Sequence, residues 1–288
     1  MQKIFVGDVQ GCGDEFEALC ERADRSFGRD HQIWCVGDLI NRGPKNLLPL
    51  HLMRERVEDG RGVFILGNHE IGLLRIWLGI WGVEPRNTYP EILDSDECDE
   101  WIDWLCGQPL ARCEEIAGRP FAMVHAAVHP DWTLDEIEPS ARRIEERLAT
   151  RDKSELVALL GEDDSSADAA LLEDRDNLGR LTRCRSVDAQ MNWSSAEPKK
   201  ATRPWHEAWA ERDHDYGVVY GHWSRQRLYV APGLRGLDSG CVHHGRGNVG
   251  FLTGWLPRDD DTGKFASDPF AVPDDRFWRI DPQRPYYK

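Results

Sequence analysis

Five polar residues of metal-ligand type stand directly after short apolar runs in the 288-residue chain: Asp8, Asp38, Asn68, His125 and His222. Two carboxylates, one carboxamide and two imidazoles form a mixed oxygen and nitrogen donor set. Such a set suits Mn²⁺, Fe²⁺, Co²⁺ or Zn²⁺ better than Ca²⁺ or a thiolate-seeking ion. Five donors exceed what one ion with open positions needs. Two ions sharing one aspartate would use them all, and such pairs clamp phosphate and activate water at neutral pH. A single aspartate at a strand end is more often a turn former. The expectation of chemistry therefore rests on five such residues at five strand ends.

The elements that must position them are legible as a beat. Residues 4–6, 33–36 and 63–66 are apolar runs closing on Gly7-Asp8, Gly37-Asp38 and Gly67-Asn68, so the polar residues recur at intervals of 30. Helix-like segments follow, EFEALCERA after Asp14 and KNLLPLHLMRER after Pro44, with the proline suited to a first helical position. Strand–helix–strand units of this length predict parallel strands with right-handed crossovers, and a ligand site at their carboxyl ends. Further along, 85–116 reads as mainly helical, 120–125 as a strand and 134–160 as an amphipathic helix. Residues 161–170 read as an acidic loop, and 186–204 show no apolar periodicity. Strands are expected again at 217–220, 227–230, 234–237 and 249–252, then a loop from 257 with a last strand at 277–280.

Composition narrows the function. With 40% hydrophobic and 30% charged residues the chain can bury a core, and the net charge of −15 argues against a protein that coats nucleic acid. The longest apolar stretch, 71–83, is interrupted by Arg75 and too short for a bilayer. None of the eight cysteines forms a CxxC pair, which argues against a zinc ribbon and favours buried free thiols. With strand-like sequence from the first residues, these features predict a cytoplasmic protein without membrane or DNA partners.

The motifs GDVQG at 7–11, GDLINRG at 37–43 and GNHE at 67–70 resemble the three-part signature of the PPP-type metallophosphoesterases. The second half is similar to one branch, the symmetrical bis(5′-nucleosyl)-tetraphosphatases. RGP at 42–44, VHAAVHPDW at 124–132, LTRCR at 181–185, RPW at 203–205, YGHW at 220–223 and LDSGC at 237–241 carry that likeness. The resemblance runs to about residue 250 and implies an α/β fold, the calcineurin-like α/β/β/α sandwich of two mixed sheets. It implies one domain over 1–288, with a helical insertion at about 85–115 and 131–210 beside the cleft.

By resemblance, two divalent ions are expected, Mn²⁺ first and Co²⁺, Fe²⁺ or Zn²⁺ as alternatives. Asp8 and Gln10 would bind the first ion, Asp38 would bridge, and Asn68, His125 and His222 would hold the second. His69 matches the general acid and Arg42 the arginine that clamps a phosphoryl oxygen, while Arg183 and Arg185 match candidate polyphosphate contacts. Three departures stand out. Gln10 replaces the superfamily's histidine ligand, and Asn41 replaces the aspartate that orients the general acid in protein phosphatases. His243 and His244 follow LDSGC in place of a Trp-Gly pair; they are read as surface residues, with the rim of the site as the alternative.

The implied activity is hydrolysis of diadenosine tetraphosphate to two ADP by a hydroxide activated at the dinuclear centre. Removal of dinucleoside-tetraphosphate-like 5′ caps from RNA is a further expected activity. Two alternatives remain open: a phosphoserine/threonine protein phosphatase or broad phosphoesterase, and a catalytically impaired nucleotide-binding sensor. Of the 12 tryptophans, Trp205 and Trp209 share a helix-like spacing of four and Trp223 follows His222; such rings can stack a base, but core packing is their commoner use and the sequence singles out none of them.

Overall fold

The thirty-residue beat becomes three parallel strands in the computed structural model, which describes residues 1–165, 167–257 and 268–286. Strand β1 (Gln2–Val6) leads through α1 (Gly13–Phe27) to β2 (His31–Cys35), then through α2 (Leu47–Glu58) to β3 (Gly62–Phe64) and into α3 (Asn68–Trp77). β1 pairs with β2 in register Phe5 to Trp34, and β2 with β3 in register Trp34 to Val63. In α1, Asp14 and Glu15 in the first turn and Arg25 in the last complement the helix dipole.

The segment read as mainly helical divides. Short helices α4 (Pro90–Leu93) and α5 (Cys98–Cys106) occupy its first part, but its end is strand β4 (Ala111–Ile116), paired antiparallel with β5 (Arg119–Val124). The joint is Ala117-Gly118, both at positive φ (53° and 79°), the geometry of a two-residue hairpin. The charged Arg112, Glu114 and Glu115 of this edge strand obscure it in the sequence.

The predicted helix at 134–160 is two helices, α6 (Leu134–Ala149) and α7 (Lys153–Leu160). Arg151 at φ 55° turns the chain, and the Asp152 carboxylate restarts it by accepting the N–H groups of Ser154 and Glu155 at 2.8 and 3.1 Å. After α8 (Ala169–Arg183), residues 186–204 hold a small sheet of two-residue strands, β6 (Ser186–Val187), β7 (Trp193–Ser194) and β8 (Arg203–Pro204), in the order β7-β6-β8. Strands that short carry no period to read. Then come α9 (Trp205–Ala210), β9 (Gly217–Tyr220), β10 (Tyr229–Ala231), β11 (Leu234–Gly236), β12 (Leu252–Trp255) and β13 (Phe277–Ile280). β10 lies two residues and β12 three residues later than their apolar runs suggest. Part of the loop expected from 257 lies outside the described residues.

Two mixed five-stranded sheets result, in the orders β13-β12-β1-β2-β3 and β10-β11-β9-β5-β4. Between them lies an aromatic layer in which Phe5 meets Phe121 edge-on (centroids 5.4 Å apart) and Trp255 at 5.2 Å. Ile4 and Val6, pointing the other way from β1, pack in the core beneath the helices. β5 and β9 are parallel neighbours, so His125 and His222 leave the second sheet side by side, as Asp8, Asp38 and Asn68 leave the first. No helix among the described residues is long and apolar enough to cross a membrane. The eight cysteines are free.

Candidate active site

All five strand-end residues meet at one edge of the sandwich, and all but Asn68 are buried. Asp8, Asp38 and His125 present donor atoms within 4.8 Å of one another. Asn68 Oδ1 lies 3.2 Å from His125 Nε2 and 2.7 Å from His222 Nδ1, and His125 Nε2 is 3.4 Å from Asp38. Glycines just before the strand-end residues make this approach possible. A Cβ on Gly67 would sit 2.2 Å from Asp38 Oδ1, and one on Gly221 would sit 2.1 Å from Asp8 Oδ1. Gln10, Asp38, Asn41, Arg42 and His222 all adopt positive φ, backbone strain of the kind that gathers where function dictates geometry.

Backbone groups fix the proton positions. His125 Nδ1 lies 2.8 Å from the Val36 carbonyl and His222 Nε2 lies 3.1 Å from the Arg183 carbonyl, so each ring donates there. Each therefore turns a lone pair toward the carboxamide oxygen of Asn68. Acceptors facing acceptors across a few ångströms call for a cation between them. The carboxylates tell the same story. Burial pushes Asp8 well above the usual range, and Asp238 and Asp38 add to the shift. Burial likewise pushes Asp238 up to about 7, against the N–H of Gly240 and with the repulsion of Asp38. Asp38 itself is held low: burial opposes, but the imidazoles of His125 and His69 and the hydrogen bonds from His69 N–H (2.9 Å) and Gln10 outweigh it. A divalent ion supplies the charge these groups lack, so the residues fit a metal centre.

Not every sequence-predicted residue stands as expected. Gln10 turns its amide nitrogen, as a donor, to Asp8 (3.5 Å) and Asp38 (3.3 Å), so it steadies both carboxylates, and ligation would need its oxygen turned inward. Arg42 and Arg185 line a cavity of about 750 Å³ in front of the cluster, with His69, Arg86, His243 and Arg246. Arg183 is not brought there. Its guanidinium lies 5.5 Å over the Trp193 ring, and it reaches the site through its carbonyl on His222. His243, read as a surface residue, is a rim residue. Trp205, Trp209 and Trp223 are buried, and the Trp223 indole donates to Glu197.

Sequence reasoning missed two buried acids. Asp238 was visible only as a letter of LDSGC. Glu70, the last residue of GNHE, accepts the N–H groups of Gly67 and Asp38 on one oxygen (2.8 and 2.9 Å) and of Leu39 on the other (2.9 Å). It ties the loop after β3 to the loop after β2. Glu70→Gln turns an NH₂ toward one set of donors. The expected cost is about 3 kcal/mol from stranded buried N–H groups, read as a melting temperature lower by roughly 5–10 °C; an unchanged melting point would show the tie to be dispensable.

A two-sheet sandwich with carboxylates, imidazoles and an amide gathered at its parallel strand ends is the architecture of a metal-dependent phosphoesterase. The sequence pattern of the calcineurin-like phosphoesterases matches residues 1–250. The symmetrical bis(5′-nucleosyl)-tetraphosphatase of Janthinobacterium sp. (strain Marseille) is 35% identical over 256 residues, covering 85% of this chain and 91% of that protein. Its counterpart in Delftia acidovorans is 34% identical, covering 85% and 90%. A solved structure described as a candidate diadenosine tetraphosphatase superposes with a TM-score of 0.57 at 22% identity, covering 88% of each chain. A Saccharomyces cerevisiae protein serine/threonine phosphatase superposes with a TM-score of 0.52 at 14% identity over 100% of this chain and 84% of its own, a likeness of fold alone. The chain belongs to the calcineurin-like phosphoesterases, in the family of the symmetrical bis(5′-nucleosyl)-tetraphosphatases.

Proposed function

We propose that the protein hydrolyses diadenosine tetraphosphate at the middle of its phosphate chain, giving two ADP. The observation that carries this reading is the donor cluster opening onto an arginine-lined cavity, in a chain whose relatives bear that activity in their names. Asp8 and Asp38, with Gln10 beside them, would hold one divalent ion; Asp38, Asn68, His125 and His222 would hold a second, Mn²⁺ being the first candidate for this donor set. The ions, when bound, supply Lewis acidity and an activated water. Arg42 and Arg185 present planar cationic forks to the phosphate oxygens, which steadies the chain and offsets charge at the transferring phosphoryl group. His69, at the mouth of the cluster, is placed to give a proton to the departing oxygen. One domain over 1–288, the cytoplasmic location and activity on capped RNA 5′ ends belong to the same proposal.

The protein-phosphatase alternative finds no support at Asn41. Its side-chain oxygen is engaged by the N–H groups of Arg42 (2.9 Å) and Thr88 (3.0 Å), and His69 Nδ1 has no hydrogen-bond partner among the described residues. Chromatography of the products after incubation with diadenosine tetraphosphate and Mn²⁺ tests the reading. ADP as the sole nucleotide product is expected. AMP with ATP would overturn the symmetric cut, faster release of phosphate from phosphopeptides would favour the phosphatase, and tight binding without turnover would establish a sensor.

A further inference from the structure

The reaction centre lies where two cavities of opposite character join. Arg42, Asn68 and His69 line both the arginine-rich cavity and a second one of about 730 Å³. One wall of the second comes from the end of α3 and the loop that follows, and it carries the apolar Ile76, Ile80, Trp81, Val83 and Pro85 beside Glu84 and Asn87. Trp81 and Val83 are 37% and 47% exposed, two of the seven large exposed hydrophobic residues among those described, and both face this one space. Exposed apolar surface concentrated beside a reaction centre marks a binding site more often than a packing accident.

Trp81 is also held in place. The Arg75 guanidinium sits 4.4 Å from the centre of its ring, the indole N–H donates to Glu162 at 3.3 Å, and Arg75 is anchored in turn by the Leu160 carbonyl at 2.9 Å. One face of the indole is thereby covered by a cation, which leaves the opposite face for a flat ligand. An apolar wall with one fixed aromatic plate, continuous with an arginine-lined phosphate site, matches a nucleotide in both halves: base on the plate, phosphates among the arginines.

We propose that this second cavity binds a purine base of the substrate, stacked on Trp81. Resting on the dinucleoside-tetraphosphate reading, the occupant is one of the substrate's two bases, because Arg42, Asn68 and His69 join this cavity to the arginine-lined one. Trp81 then acts as a specificity-determining residue that distinguishes nucleotides from base-free polyphosphates.

Calorimetric titration of the Mn²⁺-loaded protein with ADP and with inorganic pyrophosphate tests this. Wild type is expected to bind ADP more tightly than pyrophosphate. Trp81→Ala should weaken ADP by about tenfold or more, the worth of one stacked base, and pyrophosphate by less than about twofold, while Trp81→Phe keeps most of the ADP affinity. Equal losses for both ligands, no loss for either, or wild-type ADP binding no tighter than pyrophosphate would overturn the proposal. Product chromatography separates the two readings. ADP formed from diadenosine tetraphosphate with no ADP-selective loss in Trp81→Ala removes the base site alone. A selective loss without any ADP formed keeps the base site and removes the proposed substrate.

Discussion

Asp38→Asn is expected to strip the protein of bound divalent metal and to lower hydrolysis of diadenosine tetraphosphate by roughly three powers of ten or more. Asp38 is the carboxylate common to both halves of the cluster, within 4.8 Å of the Asp8 and His125 donors and 3.6 Å from His69 Nε2. An asparagine oxygen can still accept the N–H of His69, so the loop should hold its shape. What is lost is the charge. In the metal-free protein the same charge acts in two opposed ways. Asp38 repels the buried Asp8 and Asp238 and raises both, while, against burial, His125, His69 and the hydrogen bonds from His69 N–H and Gln10 hold its own carboxylate below the usual range. Asp38→Asn should therefore melt, in EDTA, within about 5 °C of wild type. Elemental analysis after gel filtration reads the metal, and a thermal scan in EDTA reads the strain. A fully active variant would sink the two-metal reading; a metal-free melting point lower by more than about 5 °C would make Asp38 a structural residue first.

The site was more legible in the sequence than the fold around it, for a physical reason. A residue immediately after a strand inherits its position from the strand, so an in-phase series at 8, 38 and 68 locates three groups as soon as β1, β2 and β3 are recognised. The glycine before each polar residue is part of the same signal, since Gly67 and Gly221 leave room for the carboxylate that faces them. What escaped was whatever depends on partners far along the chain. β4 is defined by its pairing with β5 rather than by an apolar run. The two-residue strands at 186–204 exist only because they pair. Asp238 reads as an ordinary acid until β11 delivers it beside Asp8. Of Arg183 and Arg185, two residues apart in LTRCR, Arg183 has the better claim in the sequence as a polyphosphate contact, yet only Arg185 lines the cavity.

Net charge illustrates the same point at larger scale. Residues 91–176 carry a net charge of −16, residues 1–90 carry −2 and residues 177–288 carry +3. The acid excess falls in the stretch that includes α6 and α7, where Arg143 and Arg147 engage Asp174 in ion pairs, while the cavity in front of the cluster gathers Arg42, Arg86, Arg185 and Arg246. A polyanion approaching the cleft meets a locally basic surface, and an extended RNA strand lying across the acidic helices would not.

His69→Ala is expected to lower turnover by roughly two to four powers of ten, with metal content unchanged and KM within about threefold of wild type. The ring stands where the two cavities join, and its Nδ1 has no hydrogen-bond partner among the described residues. Burial pushes it down to about 4, against the nearby Asp38 carboxylate, with Arg42 pushing further down. Burial thus favours the neutral imidazole. A polyphosphate beside the ring pushes toward the protonated form, and bound divalent ions push toward the neutral one. The loss should be smaller than for Asp38→Asn, since the donor cluster and the arginine forks survive. Metal loss in His69→Ala would make the ring a ligand, and unimpaired turnover would move the acid elsewhere. A rise in KM with kcat unchanged would reduce His69 to a binding contact, because an interaction made equally in ground and transition states leaves kcat untouched.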